Sequence, residues 1–192
     1  MVATENFKKV EITSKSELRN WMEQHYAQEN SVWLVTYKKN KPDKYVSVSE
    51  VLDELISFGW IDGIRRKLDD KRTMQLISPR KTQHWARTYK DRADKLMKDG
   101  QMHEAGLRAI EASKKNGLWN FMDDVDQLIV PQDLHQALSK YPGATSFFEA
   151  TNASSKRFVL RWIKLAKTET TRAKRIGQTA LLAAKGKKVP GS

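Results

Sequence analysis

Cysteine is absent from the 192-residue chain. That excludes disulfides, thiolate nucleophiles and thiolate-bound metals, and leaves either redox compartment open. Histidine is scarce: His25, His84, His103 and His135 are scattered with no i,i+4 pair and no HExxH spacing, so no metal site and no cofactor are expected. The nucleophile elbow GxSxG, the Walker loop and the dinucleotide fingerprint GxGxxG are missing, and "GWIDG" has the spacing of none of them. No run approaches the roughly 20 apolar residues that a membrane span needs. The opening "MVATENFKKVEIT" has no apolar signal core either, and the expected location is the cytoplasm. Together these absences favour a binding protein over an enzyme.

What is abundant is positive charge, 35 Lys and Arg against 23 Asp and Glu, a net +12. It is unevenly placed. Residues 1–100 carry 20 basic and 15 acidic side chains, residues 101–150 carry 4 and 7, and residues 151–192 carry 11 and 1. A field of that kind concentrates anions near the C-terminal fifth, and long polyanions, anionic lipid or phosphorylated small molecules are its natural partners. No nucleic-acid-binding module is recognisable, so nucleic acid is the weaker expectation.

Hydrophobic periodicity divides the chain. "KKVEIT" and "SVWLVTYK" read as strands, with a helix between them opened by Ser14-Lys-Ser-Glu17 and carrying Leu18, Trp21, Met22 and Tyr26 on one face. Ser47-Val-Ser-Glu50 opens a second helix with Val51, Leu52, Leu55 and Ile56 inward and Gly59 at its C-terminus. "IDGIRRKL" and "RTMQLIS" form a hairpin turning at Asp69-Asp70-Lys71. From Thr82 onward every periodic segment is helical: one helix from Thr82 to Gly100, one up to Gly117, a connector "LWNFMDDVDQLIV", a helix opened by Pro131, a short piece after Pro142, and two amphipathic helices at the end. The fold class is therefore α+β, a small N-terminal sheet packed by helices and then a mainly helical part. The expected divisions are residues 1–120, a basic helical part at 121–186, and a flexible tail at 187–192.

Three segments in order, "FGWIDG", "ISPRKTQHWARTYKDRADKLMKDGQMHEAGLRAIEASKKNG" and "LRWIKLAKTETTRAKRIGQTALLAAKGK", resemble the bacteriocin-protection family, also called YdeI/OmpD-associated. The resemblance runs from about Val32 to Lys188, with His84-Trp85-Ala86 standing where the family pattern has a small hydroxyl residue beside the tryptophan. It implies a mixed N-terminal part, a helical C-terminal part, and a role in protecting bacteria against bacteriocins and cationic antimicrobial peptides. It supplies no catalytic residues. An envelope protein is a further partner that the family name implies.

Two sites follow from the residues themselves. Around "SPRKTQHW" the helix expected at Thr82 begins with Arg80 and Lys81 and no acid, which places cations at an end whose dipole is already positive. A bound phosphate or carboxylate would reverse that cost, with Trp60 and Trp85 as walls and Asp62 orienting Arg65. Trp60, Asp62, Arg65, Arg80, Lys81 and Trp85 are the candidate anion-binding residues, against the plainer reading of core tryptophans and solvated cations. The second site is a basic surface of Arg157, Arg161, Lys164, Arg172 and Arg175. It lies opposite the apolar Phe158, Val159, Trp162, Ile163 and Ala166, with only Glu169 nearby to neutralise it. The expected function is a non-enzymatic binding protein of the bacteriocin-protection type acting through an anionic ligand or an envelope partner. The alternatives are an enzyme or sensor for a small anion, and nucleic-acid binding.

Overall fold

The structure, a computed structural model, describes residues 6–191. The chain forms two compact units, Met1–Asn120 and Phe121–Ser192. The first holds a four-stranded sheet, four α-helices and a 3-10 turn at Pro42–Lys44 among the described residues, and the second is built of helices, as the α+β reading requires.

In the first unit, β1 (Lys9–Glu11) and β2 (Val32–Tyr37) run parallel, which requires a crossover, and α1 (Lys15–His25) supplies it. The Ser14 hydroxyl accepts from the Glu17 amide, but the Glu17 carboxylate reaches the Thr13 amide at 2.7 Å, so the reciprocal half of the cap is shifted by one residue. The box at Ser47 is complete, with Ser47 and Glu50 each serving the other's amide at the start of α2 (Val48–Ser57). Phe58 ends that helix. Gly59 follows at φ 73°, a left-handed turn in which a side chain would be strained, and it directs the chain into the hairpin.

The hairpin is β3 (Trp60–Lys67) and β4 (Arg72–Pro79), and the sheet order is β1-β2-β4-β3. β2 is central and buried along nearly its whole length, while β3 is an edge strand whose Arg65, Arg66 and Lys67 are exposed. A bulge between Asp62 and Arg65 shifts its register against β4. One core, containing Leu18, Met22, Leu34, Leu55, Phe58, Trp60 and Ile77, fills the space between sheet and helices. A second groups Ile56, Trp85, Ala93, Leu96 and Ile110 beneath α3 (Arg87–Lys98) and α4 (Glu104–Lys115). α3 starts at Arg87, five residues later than the sequence suggested, because residues 81–86 form an irregular loop. α4 is capped by the His103 ring, whose Nδ1 accepts from the Ala105 amide at 3.1 Å. Its Gly106 lies so close to the end of α2 that a Cβ there would sit 2.3 Å from the Ser57 carbonyl.

In the second unit, the acidic connector is helical: α5 (Asp123–Asp126) precedes α6 (Gln132–Ser139), α7 (Ala144–Ala150), α8 (Ala153–Lys164) and α9 (Glu169–Ala184). Pro131 is the residue before α6, one place earlier than expected. The core runs through Leu134, Leu138, Phe148, Val159, Leu160, Ile163, Ile176 and Ala180. The inward face of α8 is Ser155, Val159, Leu160 and Ile163. At 100° per residue Phe158 then falls well off that stripe, and it is exposed, contrary to the sequence expectation. The segment read as a flexible tail also differs. Val189 is buried in this core and the Lys187 amide donates to the Leu182 carbonyl at 2.9 Å. No helix among the described residues is long and apolar enough to cross a membrane.

Candidate functional site

The candidate site is built where the chain leaves the sheet. The Arg80 amide extends the hairpin ladder by one bond, donating to the Gly59 carbonyl at 2.9 Å. Its side chain then folds inward, contrary to the picture of a cation at an open helix end. The guanidinium carbon lies 4.0 Å from the Trp85 ring centroid and 5.4 Å from that of Tyr89. Nη1 donates to the carbonyls of Gln83 and His84 at 3.3 and 3.2 Å, so residues 81–86 wrap around the head group. This is why the helix begins late: Gln83 and His84 turn their carbonyls onto Arg80. The Trp85 amide also binds the distant Leu118 carbonyl at 3.1 Å.

Trp85 is fully buried. Its Nε1 donates to Ser113 Oγ at 2.8 Å and its ring tilts against Trp119 at 4.9 Å. Asp62 lies at the other side of the cluster. It accepts from the Tyr89 hydroxyl and, at 3.1 Å, from Gln75 Nε2, and Gln75 Oε1 in turn accepts from Arg65 Nη2 at 2.5 Å. Asp62 therefore orients Arg65 only through the Gln75 carboxamide.

Arg80 is left with two donors, Nε and Nη2, that are shut off from solvent and have no hydrogen-bond partner. Burial pulls its pKa down to about 10, while the fields of Tyr89 and Asp62 act in the opposite direction, so it remains a cation at neutral pH. The contrast with Glu54 is informative. That carboxylate is more deeply enclosed than Arg80, yet Arg19 reaches it at 3.1 Å and Lys15 at 3.5 Å. A buried ion is ordinarily partnered in full, because an unmatched donor costs about 1 to 3 kcal/mol or more when charged. α3 adds to the deficit, with Ala86 at its N-cap, no side-chain cap and no acid in its first turn.

Of the six residues expected at this site, Asp62, Arg65, Arg80 and Trp85 come together. Trp60 belongs to the other core, where Nε1 donates to the Tyr26 carbonyl at 3.1 Å and the ring meets Trp21 edge-on. The side chain of Lys81 is exposed. Gln75, Tyr89 and Ser113 complete the cluster. Only Tyr89 had a sequence signal, its i+4 spacing from Trp85.

The basic surface of the second unit is corrected more strongly, because its cations are engaged. Lys164 Nζ meets Asp124 at 2.5 Å, and Arg172 forks onto Asp133 at 2.7 and 2.9 Å. Arg157 Nε reaches the Asp126 carbonyl at 3.4 Å, and Arg175 donates to the Trp162 carbonyl while its guanidinium lies 5.1 Å from that ring. Arg161 also has a partner. The acids come from α5 and α6, about forty residues away in sequence, where local i,i+4 reasoning does not reach. No group of acids and histidines among the described residues could hold a metal ion.

An α+β unit followed by a helical unit is the class of protein that these elements define. The family comparisons divide along the same chain. Residues 10–109, more than half of the sequence, match a domain of unknown function, DUF8412, and the chain belongs to that family. Residues 127–186 match the family described as bacteriocin-protection, YdeI or OmpD-associated, so the helical unit carries that membership. The motifs "FGWIDG" and "ISPRK" thus fall within the DUF8412 match rather than the bacteriocin-protection one. No curated protein and no solved structure matches the chain.

Proposed function

We propose that the chain is a non-enzymatic binding protein of the bacteriocin-protection type, and that it works by holding a small anion, a phosphate or a carboxylate, at Arg80. The observation that supports this is the pair of enclosed, unpartnered donors on that guanidinium. A planar fork with two free N–H groups matches two oxygens of a phosphate or carboxylate side by side. Trp85 holds the plane of the fork, and the Asp62–Gln75–Arg65 chain fixes the floor behind Tyr89. Entry requires residues 81–84 to swing aside while Trp85 stays anchored in the core through Ser113 and Trp119, and the Gln83 and His84 carbonyl contacts to Arg80 are among the bonds that must break.

A polyanion or an anionic lipid surface is less well supported, because Lys164 and Arg172 already hold aspartates. The test is thermal denaturation in phosphate, sulfate and citrate against chloride at matched ionic strength. Binding to the folded state raises the midpoint by mass action, and the rise should saturate. In Arg80→Gln, which keeps one donor group without the fork or the charge, the rise should vanish. An equal rise in that variant sinks the reading, as does a native protein that responds to none of the three anions.

A further inference from the structure

The second unit has a site of its own. Between α6 and α9 lies an open groove of about 620 Å³, within the range of small-molecule pockets. Its floor is Ala137, Ala173, Ile176, Gly177 and Ala180. Gly177 is the unexpected member. It sits in the interior of the 16-residue α9, where glycine weakens a helix relative to alanine. Nothing in the chain requires it, since a Cβ at that position would meet no atom within 4 Å. The contrast with Gly106, where a Cβ would collide with the backbone of α2, shows what a glycine required by packing looks like. The space kept open by Gly177 is the groove itself.

The charges around the groove are sorted by end. At one end the Arg172–Asp133 fork closes the wall, and Glu169, one turn before Arg172 in α9, carries a carboxylate with no partner among the described residues. At the other end of α6, Lys140 carries an ammonium that is likewise unpaired, and the neighbouring Tyr141 also lines the groove. Asp133, at the Glu169 end of the groove, lies seven residues along α6 from Lys140, about 10 Å, and Glu169 sits up to one further helical turn, about 5 Å, away. An extended chain covers about 3.3 Å per residue, so three residues are the least that bridge Glu169 to Lys140.

We infer that this groove binds a short zwitterionic peptide of about three residues. Its ammonium end lies toward Glu169, its carboxylate meets Lys140 and Tyr141, and a small apolar side chain rests over Gly177. The inference is independent of the Arg80 reading, since the residues belong to the other unit.

The experiment titrates the full chain with the tripeptide Ala-Leu-Ala, following the backbone amide of Gly177 by NMR. A saturable shift is expected. N-acetylation or C-amidation should each weaken binding about two- to fivefold, the range for one exposed ion pair. Lys140→Gln should weaken the free acid but leave the amide unchanged, and Glu169→Gln should do the same for the free amine against the acetylated form. Gly177→Leu should abolish binding while α9 keeps its helical circular dichroism. If that variant loses helix, the two charge variants decide alone. Arg80→Gln should titrate like the native chain. Equal binding of the doubly capped peptide overturns the inference. So does indifference to both charge substitutions, or a folded Gly177→Leu protein that still binds.

Discussion

One glycine and one arginine from each unit show opposite ways of placing the same residue type. In the first unit they are enclosed: Gly106 is pressed against a carbonyl of α2, and Arg80 is stacked on Trp85 with two donors sealed from solvent. In the second they stay at the surface: Gly177 faces open space, and Arg172 meets Asp133 with about a third of its side chain accessible. Enclosure makes geometry exact and substitution costly. An open face tolerates change and leaves room for something to dock.

Three substitutions would break or sharpen this contrast. The largest effect is expected at Gly106→Ala, where the new methyl would have to push two backbone segments apart. Overpacking of that kind costs about 3 kcal/mol, read as a fall in the urea midpoint. A loss below about 1 kcal/mol would mean that α2 and α4 separate easily and that the first unit is less tightly closed than described. Gly177→Ala should move the other way, stabilising by about 0.5 to 1 kcal/mol, because α9 gains a helix former and no clash. A destabilised Gly177→Ala protein would show the groove to be narrower than 4 Å clearance implies.

The smallest effect is at the Arg172–Asp133 pair. The fork from Arg172 holds the Asp133 carboxyl below its ordinary value, with burial opposing. A carboxyl lowered on folding binds its proton less readily in the folded state. Its contribution is therefore complete above the unfolded value near 3.8 and is lost as pH falls through the lower folded value. The pair is well exposed, so solvent screening leaves about 0.5 kcal/mol. Asp133→Asn should lower the midpoint by that amount at pH 7, and the native and variant curves should converge toward pH 2. A difference that persists at pH 2 would point to packing rather than charge.

What could be read in the sequence was what is local. The Ser47 box, the hairpin turn at Asp69, and the inward faces of α1 and α2 rest on contacts three or four residues apart, and they are where the spacing put them. The start of α3 was not legible, because an arginine folding back on two carbonyls and a backbone bond to Leu118 keep residues 81–86 out of the helix. The same holds for the basic surface. Lys164 and Arg172 look unopposed until the chain returns Asp124 and Asp133 to them. In the candidate site, Arg80 and Trp85 were visible as a cation beside an aromatic, but their burial was not, and Gln75 had no pattern to announce it.

The exposed end of β3 bears on a different matter, the behaviour of the chain in concentrated solution. An eight-residue strand at the edge of a sheet presents unpaired N–H and C=O groups that another molecule could extend. Arg65, Arg66 and Lys67 occupy that edge in succession, so two molecules meeting along it would bring cations against cations. Salt weakens this guard, since the screening length falls from about 10 Å at 0.1 M to about 3 Å at 1 M. The chain should therefore stay dispersed in dilute buffer and become prone to sheet-to-sheet aggregation in brine, and replacing the three cations with threonine should make it so at any ionic strength.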